Sequence, residues 1–353
     1  MKRLGVLSLG FTFAGCFLGA GYVSGQELWQ FFGTFGMPGI GGLSLAVLLQ
    51  CIFGIILLLL ARDTGLDELD RIVIRRERPI LRVLTGAAEM IFMFGVCVIM
   101  YAGAGALLAQ TLHWHAALGS ALLCVLVTAV SLRGLGGMVS AFSLLVPLLT
   151  VMTLIFSGAA LLHVDFPGFP DPEPAANPLL GNWFVSALTF VSYNLFCSIG
   201  ILAPLARHIK SKKSIFCGVA LGCLFLFLIA LAILSALAAY PQSLAAQLPM
   251  LDLAERLAPL AGGIYAVLML FSMFGTALSC HVAAATYLCQ KSVLLRRHSL
   301  WLTTGLVLLG WLGSLAGFDR LIGIIYPLCG YCGAAAMLCI LGHYRYIRRE
   351  VCS

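Results

Sequence analysis

The sequence predicts an all-α integral membrane protein of about ten transmembrane helices, arranged as two five-helix halves of opposite orientation. Three observations carry that prediction. Hydrophobic residues make up 61% and charged residues 10% of the 353 residues, whereas a soluble domain carries about 25% charge. A water-facing surface cannot be built from such a chain, so its solvent is largely lipid. The apolar runs recur along the whole chain, and ten of them reach the length of about 20 residues that a bilayer demands. Finally, if successive loops alternate across the membrane, 19 of the 21 lysines and arginines fall on one side, as the positive-inside rule requires of the cytoplasmic face.

The spans read as 4–34, 40–61, 80–110, 115–133, 137–162, 182–206, 214–239, 261–289, 299–317 and 321–343. With the N-terminus in the cytoplasm, the inside loops hold Lys2 and Arg3, six basic residues from Arg62 to Arg82, Arg133, the group Arg207, Lys210, Lys212 and Lys213, the group Lys291, Arg296 and Arg297, and the group Arg345, Arg348 and Arg349. Only Arg256 and Arg320 fall outside. A single miscounted span would invert every later loop and destroy this asymmetry, which is why ten spans with both termini inside is the preferred count. The net charge of +7 therefore reports topology. No basic surface with interleaved aromatics points to nucleic acid.

Between the spans, the loop from Val164 to Asn182 is Pro-rich, holds Asp165, Asp171 and Glu173 and has no basic residue. The loop from Tyr240 to Gly262 is expected to carry a short surface helix around Leu251–Leu257. Met1-Lys2-Arg3 and Phe13-Ala14-Gly15-Cys16 are a little like a lipoprotein signal, but the apolar run continues past Cys16 and more spans follow. Most of the 13 cysteines lie inside apolar runs and read as small buried hydrophobes. Cys329-Gly330-Tyr331-Cys332 has CxxC spacing inside the last span and reads as helix packing rather than redox or metal chemistry. His113-Trp114-His115 reads as an interfacial anchor.

Two spans look interrupted. The first holds Gly15, Gly19, Gly21 and Gly25, with Ser24, Gln26 and Glu27, and glycine costs about 1 kcal/mol in a helix relative to alanine. The sixth holds Ser192-Tyr193-Asn194, Cys197-Ser198-Ile199-Gly200 and Pro204. Gly21 and Phe196 are 175 residues apart, against a half-length of 176.5. One transmembrane domain, 1–353, thus divides into repeats 1–162 and 182–343. Five spans per repeat is odd, so the second repeat lies inverted. Broken helices at matching places of inverted repeats mark a transporter binding site near the bilayer midplane, because unwound backbone survives in a membrane only where it lines a cavity or binds something. Small residues also let helices pack closely, and Gly15-xxx-Gly19 and Gly21-xxx-Gly25 fit that simpler reading.

Glu27 and Glu89 are acids placed within spans, where a carboxylate is costly and is a functional hypothesis by default. Either is a candidate for coupling transport to H⁺; the alternative is a structural acid bound to backbone freed by the break. His281, beside Thr276, Ser279 and Cys280, reads as a packing residue ahead of a proton relay. No GxSxG, HExxH or GxxxxGK[ST] pattern is present, so neither an enzyme nor ATP-driven transport is expected, and no cofactor is implied.

The segment Phe17-Leu18-Gly19-Ala20-Gly21-Tyr22-Val23-Ser24-Gly25-Gln26-Glu27, followed by Phe31-Phe32 and Gly36, resembles the first-span signature of the YkvI-like family of bacterial membrane proteins. That family is similar to the amino acid–polyamine–organocation transporters and to the sodium-coupled neurotransmitter symporters, with their LeuT-type five-plus-five repeat. The resemblance implies a substrate site formed by Gly19, Gly21, Ser24 and Gly25 of span 1, Tyr101 of span 3, and Ser192, Tyr193, Asn194 and Ser198 of span 6. It also implies a sodium position beside span 8, where Thr276 and Ser279 stand. Cys280 occupies the place of a second hydroxyl, and a thiol is a poor ligand for a hard cation. The lysine that some proton-coupled relatives carry on span 5 has no counterpart here. Na⁺ and H⁺ both stay open as the coupling ion, with Glu27, Glu89, Thr276 and Ser279 as its candidate residues.

The expectation is a secondary transporter of a small polar solute, an amino acid or related amine, in the cytoplasmic membrane. Its partners are the bilayer and the solute, with no nucleic acid and no obligatory protein partner. The alternative from another class is a solute sensor similar to spore germinant receptor subunits, which binds without flux.

Overall fold

Backbone in a bilayer must satisfy its own hydrogen bonds, and a chain of separate apolar runs can do so only as helices. The computed structural model describes residues 4–66, 69–74, 79–131, 138–164, 167–172 and 177–352. Lys2, Arg3, Arg133, Asp165 and Glu173 lie outside the described residues.

Ten helical spans appear at the predicted places. Span 1 comes in three pieces, Val6–Phe17, Ala20–Val23 and Gln26–Phe31. The others are span 2 (Gly36–Thr64), span 3 (Pro79–Leu112), span 4 (Ala116–Ser131), span 5 (Met138–His163), span 6 (Trp183–Ala206), span 7 (Lys212–Ala239), span 8 (Pro259–Lys291), span 9 (Ser299–Ser314) and span 10 (Phe318–Cys352). Six stretches of these helices, in spans 2, 3, 6, 7, 8 and 10, are long and apolar enough by themselves to cross a membrane, and the remaining spans contain shorter apolar helices.

Three expectations need correction. Span 6 is one continuous helix, although it was expected to break. Its polar side chains turn back onto their own backbone: Ser192 Oγ donates to Leu188 O at 2.6 Å, Asn194 Nδ2 to Phe190 O at 3.0 Å and Ser198 Oγ to Leu195 O at 2.9 Å. The helix around Leu251–Leu257 forms as Pro249–Leu257, but it does not simply lie on the surface. Its apolar face, Met250, Leu251, Leu253 and Ala254, is fully buried, and Met250 N donates to Ser24 O at 2.9 Å. Span 10 runs well beyond residue 343, because His343 Nδ1 bonds Ile72 O at 2.9 Å and docks its end on the short helix Leu69–Val73.

The helices pack in pairs that exchange when each span is replaced by the one five places on. Span 1 packs along span 7 and span 6 along span 2; span 3 packs along span 8. Span 10 lies on span 6 as span 5 lies on span 1, and span 9 meets span 3 as span 4 meets span 8. Small residues set the close approaches: a side chain on Gly222 of span 7 would meet Gly10 O of span 1 at 2.8 Å. Gly330 and Gly333 likewise admit span 6 at Thr189 and Ser192, which gives the CxxC segment a packing role.

Candidate functional site

The break in span 1 is where the helix ladder fails. Leu18 (ψ 63) and Gly19 (ψ 173) leave the helical region, and a second kink follows at Gly25, whose φ is +80. The four-residue middle piece is then held from outside. Tyr22 Oη donates to Leu226 O at 2.6 Å on span 7, Tyr265 Oη of span 8 donates to Val23 O at 2.8 Å, and the Met250 amide takes Ser24 O. Ser24 Oγ caps locally, donating to Gly21 O at 2.9 Å. The amides of Ala20, Gly21 and Tyr22 open this piece and, like the first amides of any helix, have no partner within it.

The four glycines play different roles. A side chain on Gly25 would strike Leu237 at 2.7 Å, so Gly25 serves both packing and its left-handed backbone. A side chain on Gly19 would meet nothing within 4 Å. Gly19 therefore marks open space at the break, not a helix contact. A side chain on Gly21 would come within 2.5 Å of Glu27 Oε2.

Glu27 is the centre of the arrangement. It is 4% exposed, and the Tyr193 hydroxyl of span 6 donates a hydrogen bond to its Oε1. Tyr193 stacks on Tyr326 of span 10 with ring centres 4.6 Å apart and lies within 5.7 Å of the rings of Phe31 and Phe190. Phe92 of span 3 completes this cluster from the far side at 6.5 Å. No ion pair involves Glu27 among the described residues. A buried carboxylate without a counter-charge is costly, so this position calls for a positive charge, either a proton or a bound cation. Glu89 of span 3 faces the same side of span 6: its Oε1 lies 3.4 Å from where a side chain on Gly200 would begin. Gly200 stands seven residues, about 10 Å along the axis, beyond Tyr193. The two acids thus lie along one face of span 6.

Not every expected residue joins them. Tyr101 is fully buried, but it stands nine residues after Phe92, half a turn away around the helix, and packs against Gly310 of span 9. Its hydroxyl has no partner among the described residues. Ser279 is exposed on the outer side of span 8, while Thr276 is half-buried. Between Thr276 and Ser279, span 8 turns Ala277 towards span 3, where its carbonyl takes the Cys97 thiol at 3.4 Å, and Cys280 is buried on the same face. Ser192, Asn194 and Ser198 are buried near Tyr193 but each donates to a carbonyl of its own helix, with Ser192 Oγ also 3.2 Å from Met337 Sδ of span 10. Tyr326, Tyr265 and Gln50 were not foreseen. Gln50, 2% exposed in span 2, has an amide Nε2 without a partner among the described residues; its only sequence signal is an amide in an otherwise apolar run.

No family model matches the chain. It is 26% identical over 339 residues to the "uncharacterized membrane protein YkvI" of Bacillus subtilis (strain 168), covering 94% of each chain. Among solved structures it is similar to the inward-facing conformation of Mhp1 (TM-score 0.65, 14% identity, 99% of this chain and 78% of that one). It is also similar to a Na⁺-coupled sialic acid symporter in its substrate-bound outward-open state (TM-score 0.66, 15% identity, 96% and 79%). A third is MhsT in complex with L-phenylalanine (TM-score 0.64, 15% identity, 96% and 89%). At these identities the likeness establishes the fold: a multi-pass, all-helical membrane protein of the LeuT type.

Proposed function

We propose that the protein is a secondary active transporter of an amino acid or related amine, working by alternating access and coupled to H⁺ or Na⁺. The observation that carries this reading is the buried Glu27–Tyr193 pair across the broken first span. It supplies a negative group that lacks a counter-charge, next to backbone amides at Ala20–Tyr22 that suit a carboxylate. A zwitterion fits beside them: its carboxylate at the break and its amine against the aromatic rings around Tyr193, which leaves Glu27 free to carry the coupled proton. The fold shared with a Na⁺-coupled sialic acid symporter supports transport as the class of activity.

The coupling ion follows from the same residues. Thr276 and Ser279 are divided between a half-buried and an exposed position, and Cys280 offers a soft ligand. H⁺ carried by Glu27, with Glu89 further along span 6, is the reading these placements support best. Spans 1 and 6 would bind the solute while the helix bundle rocks between outward-open and inward-open states, in the cytoplasmic membrane with both termini on the cytoplasmic side.

The test is a thermal-shift screen of purified protein against amino acids, amines and small organic acids, with and without Na⁺. A ligand at 100 times its Kd stabilises by about 2.7 kcal/mol. The hit is then followed in proteoliposomes under a pH gradient. Accumulation of an amino acid or amine that rises with the inward proton gradient is expected. Binding without accumulation would instead favour a sensor. Stabilisation that requires Na⁺ would replace H⁺ as the coupling ion.

A further inference from the structure

A second polar site lies away from Glu27, at the end of the bundle that carries the basic loops. Spans 4, 8 and 9 line a cleft of about 410 Å³, open where Thr286, Arg296 and Ser299 are exposed and within the usual range of about 300–1,000 Å³ for ligand sites. Its lining includes Ser131 at the end of span 4, His281 and Thr286 of span 8, and Ser299 and Thr303 of span 9. Arg296, on the short helix Val293–Arg297 between spans 8 and 9, stands at its rim. Among the described residues, no acidic side chain lines it.

His281 shows that the cavity is not a packing gap. The residue is 1% exposed, and its Nε2 is buried without a hydrogen-bond partner among the described residues. An unsatisfied buried polar atom costs about 1–3 kcal/mol in a folded protein, so an imidazole nitrogen left unpaired in the wall of a polar cleft points to a partner supplied from outside the chain. The polar groups come from four helices: the Arg296 guanidinium, the His281 imidazole and the hydroxyls of Thr286, Ser299 and Thr303, with Ser131 Oγ donating to Thr128 O at 2.9 Å on its own helix, and no carboxylate among the described lining residues to oppose an anion. A carboxylate has two oxygens to offer. A phosphate has more, distributed tetrahedrally, and so matches a donor set of this number and spread.

We propose that this cavity binds a phosphate group, with Arg296 as its charge partner and Thr303 and His281 as donors at its floor. The phosphate is either the headgroup of an anionic lipid or a free phosphate from solution, since the basic loops of the bundle end at the membrane surface. Nothing in this site depends on the solute proposed for Glu27.

The experiment has two arms. In an uncharged detergent, inorganic phosphate is titrated into the purified protein and unfolding is followed. In parallel, the protein is placed in phosphatidylcholine nanodiscs with or without phosphatidic acid, and retained lipid is measured by native mass spectrometry. Phosphate stabilisation or phosphatidic acid retention is expected to weaken roughly tenfold or more in Arg296→Gln, as loss of a charged hydrogen bond implies. Thr303→Val, which keeps the packing volume, should weaken it as well. Arg297→Gln removes the neighbouring charge outside the cavity and should leave it unchanged. An Arg296-dependent effect in the lipid arm alone identifies a headgroup; in the phosphate arm, a soluble phosphate. No binding in either arm, or binding equally affected by Arg296→Gln and Arg297→Gln, overturns the proposal.

Discussion

At the scale of single residues, the glycines of span 1 separate packing from function. Gly19 and Gly21 are two residues apart in one motif, yet a methyl group at Gly19 enters open space while one at Gly21 meets the Glu27 carboxyl. Gly19→Ala should therefore leave the fold and the Glu27 pair intact. Gly21→Ala should displace the carboxyl and weaken ligand binding, with overpacking of about 1–3 kcal/mol in reach. Ligand titrations on both variants check this, and equal affinities would remove Glu27 from the site. Glu27→Gln keeps the volume and abolishes the charge. If Glu27 carries the coupled proton, uptake by this variant should lose the pH dependence of the parent, and proteoliposome uptake across pH 5.5–8.5, an assay range of about three units around the physiological window, reads the difference. A pH profile that persists in Glu27→Gln would move the proton to Glu89. The acid and the glycines were visible in the sequence, because a carboxyl inside an apolar run is costly and four glycines there mark either a close helix contact or a break. Tyr326 was not, because a tyrosine near the end of an apolar span looks the same whether it anchors in the interface or stacks on a site residue.

At the scale of elements, spans 1 and 6 show what a sequence can and cannot say about a broken helix. Both carry polar residues at matching distance, but only span 1 opens. Four glycines within eleven residues remove the side chains that would hold the ladder, at about 1 kcal/mol each. Span 6 has a single glycine there, and its hydroxyls and amide bond their own carbonyls three and four residues back, which a helix tolerates. Pro204 lies so near the end that it deprives the helix of little. Composition gave both spans a polar centre; the direction in which each side chain donates is set by packing and is not written in composition. Tyr101 shows a related limit: its residue type and depth are legible in the sequence, but its helical face, half a turn from Phe92 and towards span 9, is fixed only by its packing partners. The second kink makes a sharp test. Gly25 combines a φ of +80 with Leu237 at 2.7 Å from any added side chain. Gly25→Ala should lose about 1–3 kcal/mol from strain alone, and its melting temperature in detergent should fall clearly below that of Gly19→Ala. Equal melting would mean that the kink relaxes without cost.

At the scale of the whole molecule, the packing partners exchange under a shift of five spans, and the site sits where the two sets meet. Hydrogen bonds tie the two ends of span 1 to neighbouring elements. On the side without basic loops, Ser186 Oγ donates to Phe31 O at 2.6 Å and Gln30 Nε2 to Asp319 O at 3.1 Å, tying spans 6 and 10 to the end of span 1. On the basic side, Leu4 N donates to His208 O at 2.8 Å and Lys210 N to Leu4 O at 3.2 Å, so the segment before span 1 pairs with the segment after span 6. Lys212 adds an ion pair with Asp63 at 3.1 Å. An exposed pair contributes little stability, about 0–1 kcal/mol, so its loss should shift a conformational balance without unfolding the protein. Alternating access needs these two sets of ties to open in turn. Leu4→Pro removes the amide that bonds His208, and Asp63→Asn removes the ion pair. Either should raise the population open on the basic side and expose Cys197, one turn beyond Tyr193 on span 6 and half-buried. Site-resolved alkylation with a polar maleimide, read by mass spectrometry, should then modify Cys197 faster in both variants, while the buried Cys124 of span 4 stays at its parental rate. Faster modification of both cysteines would indicate general loosening instead of a gate. An unchanged rate at Cys197 would show that the Leu4–His208 pairing does not control access, and the path to Glu27 from the basic side would have to run elsewhere.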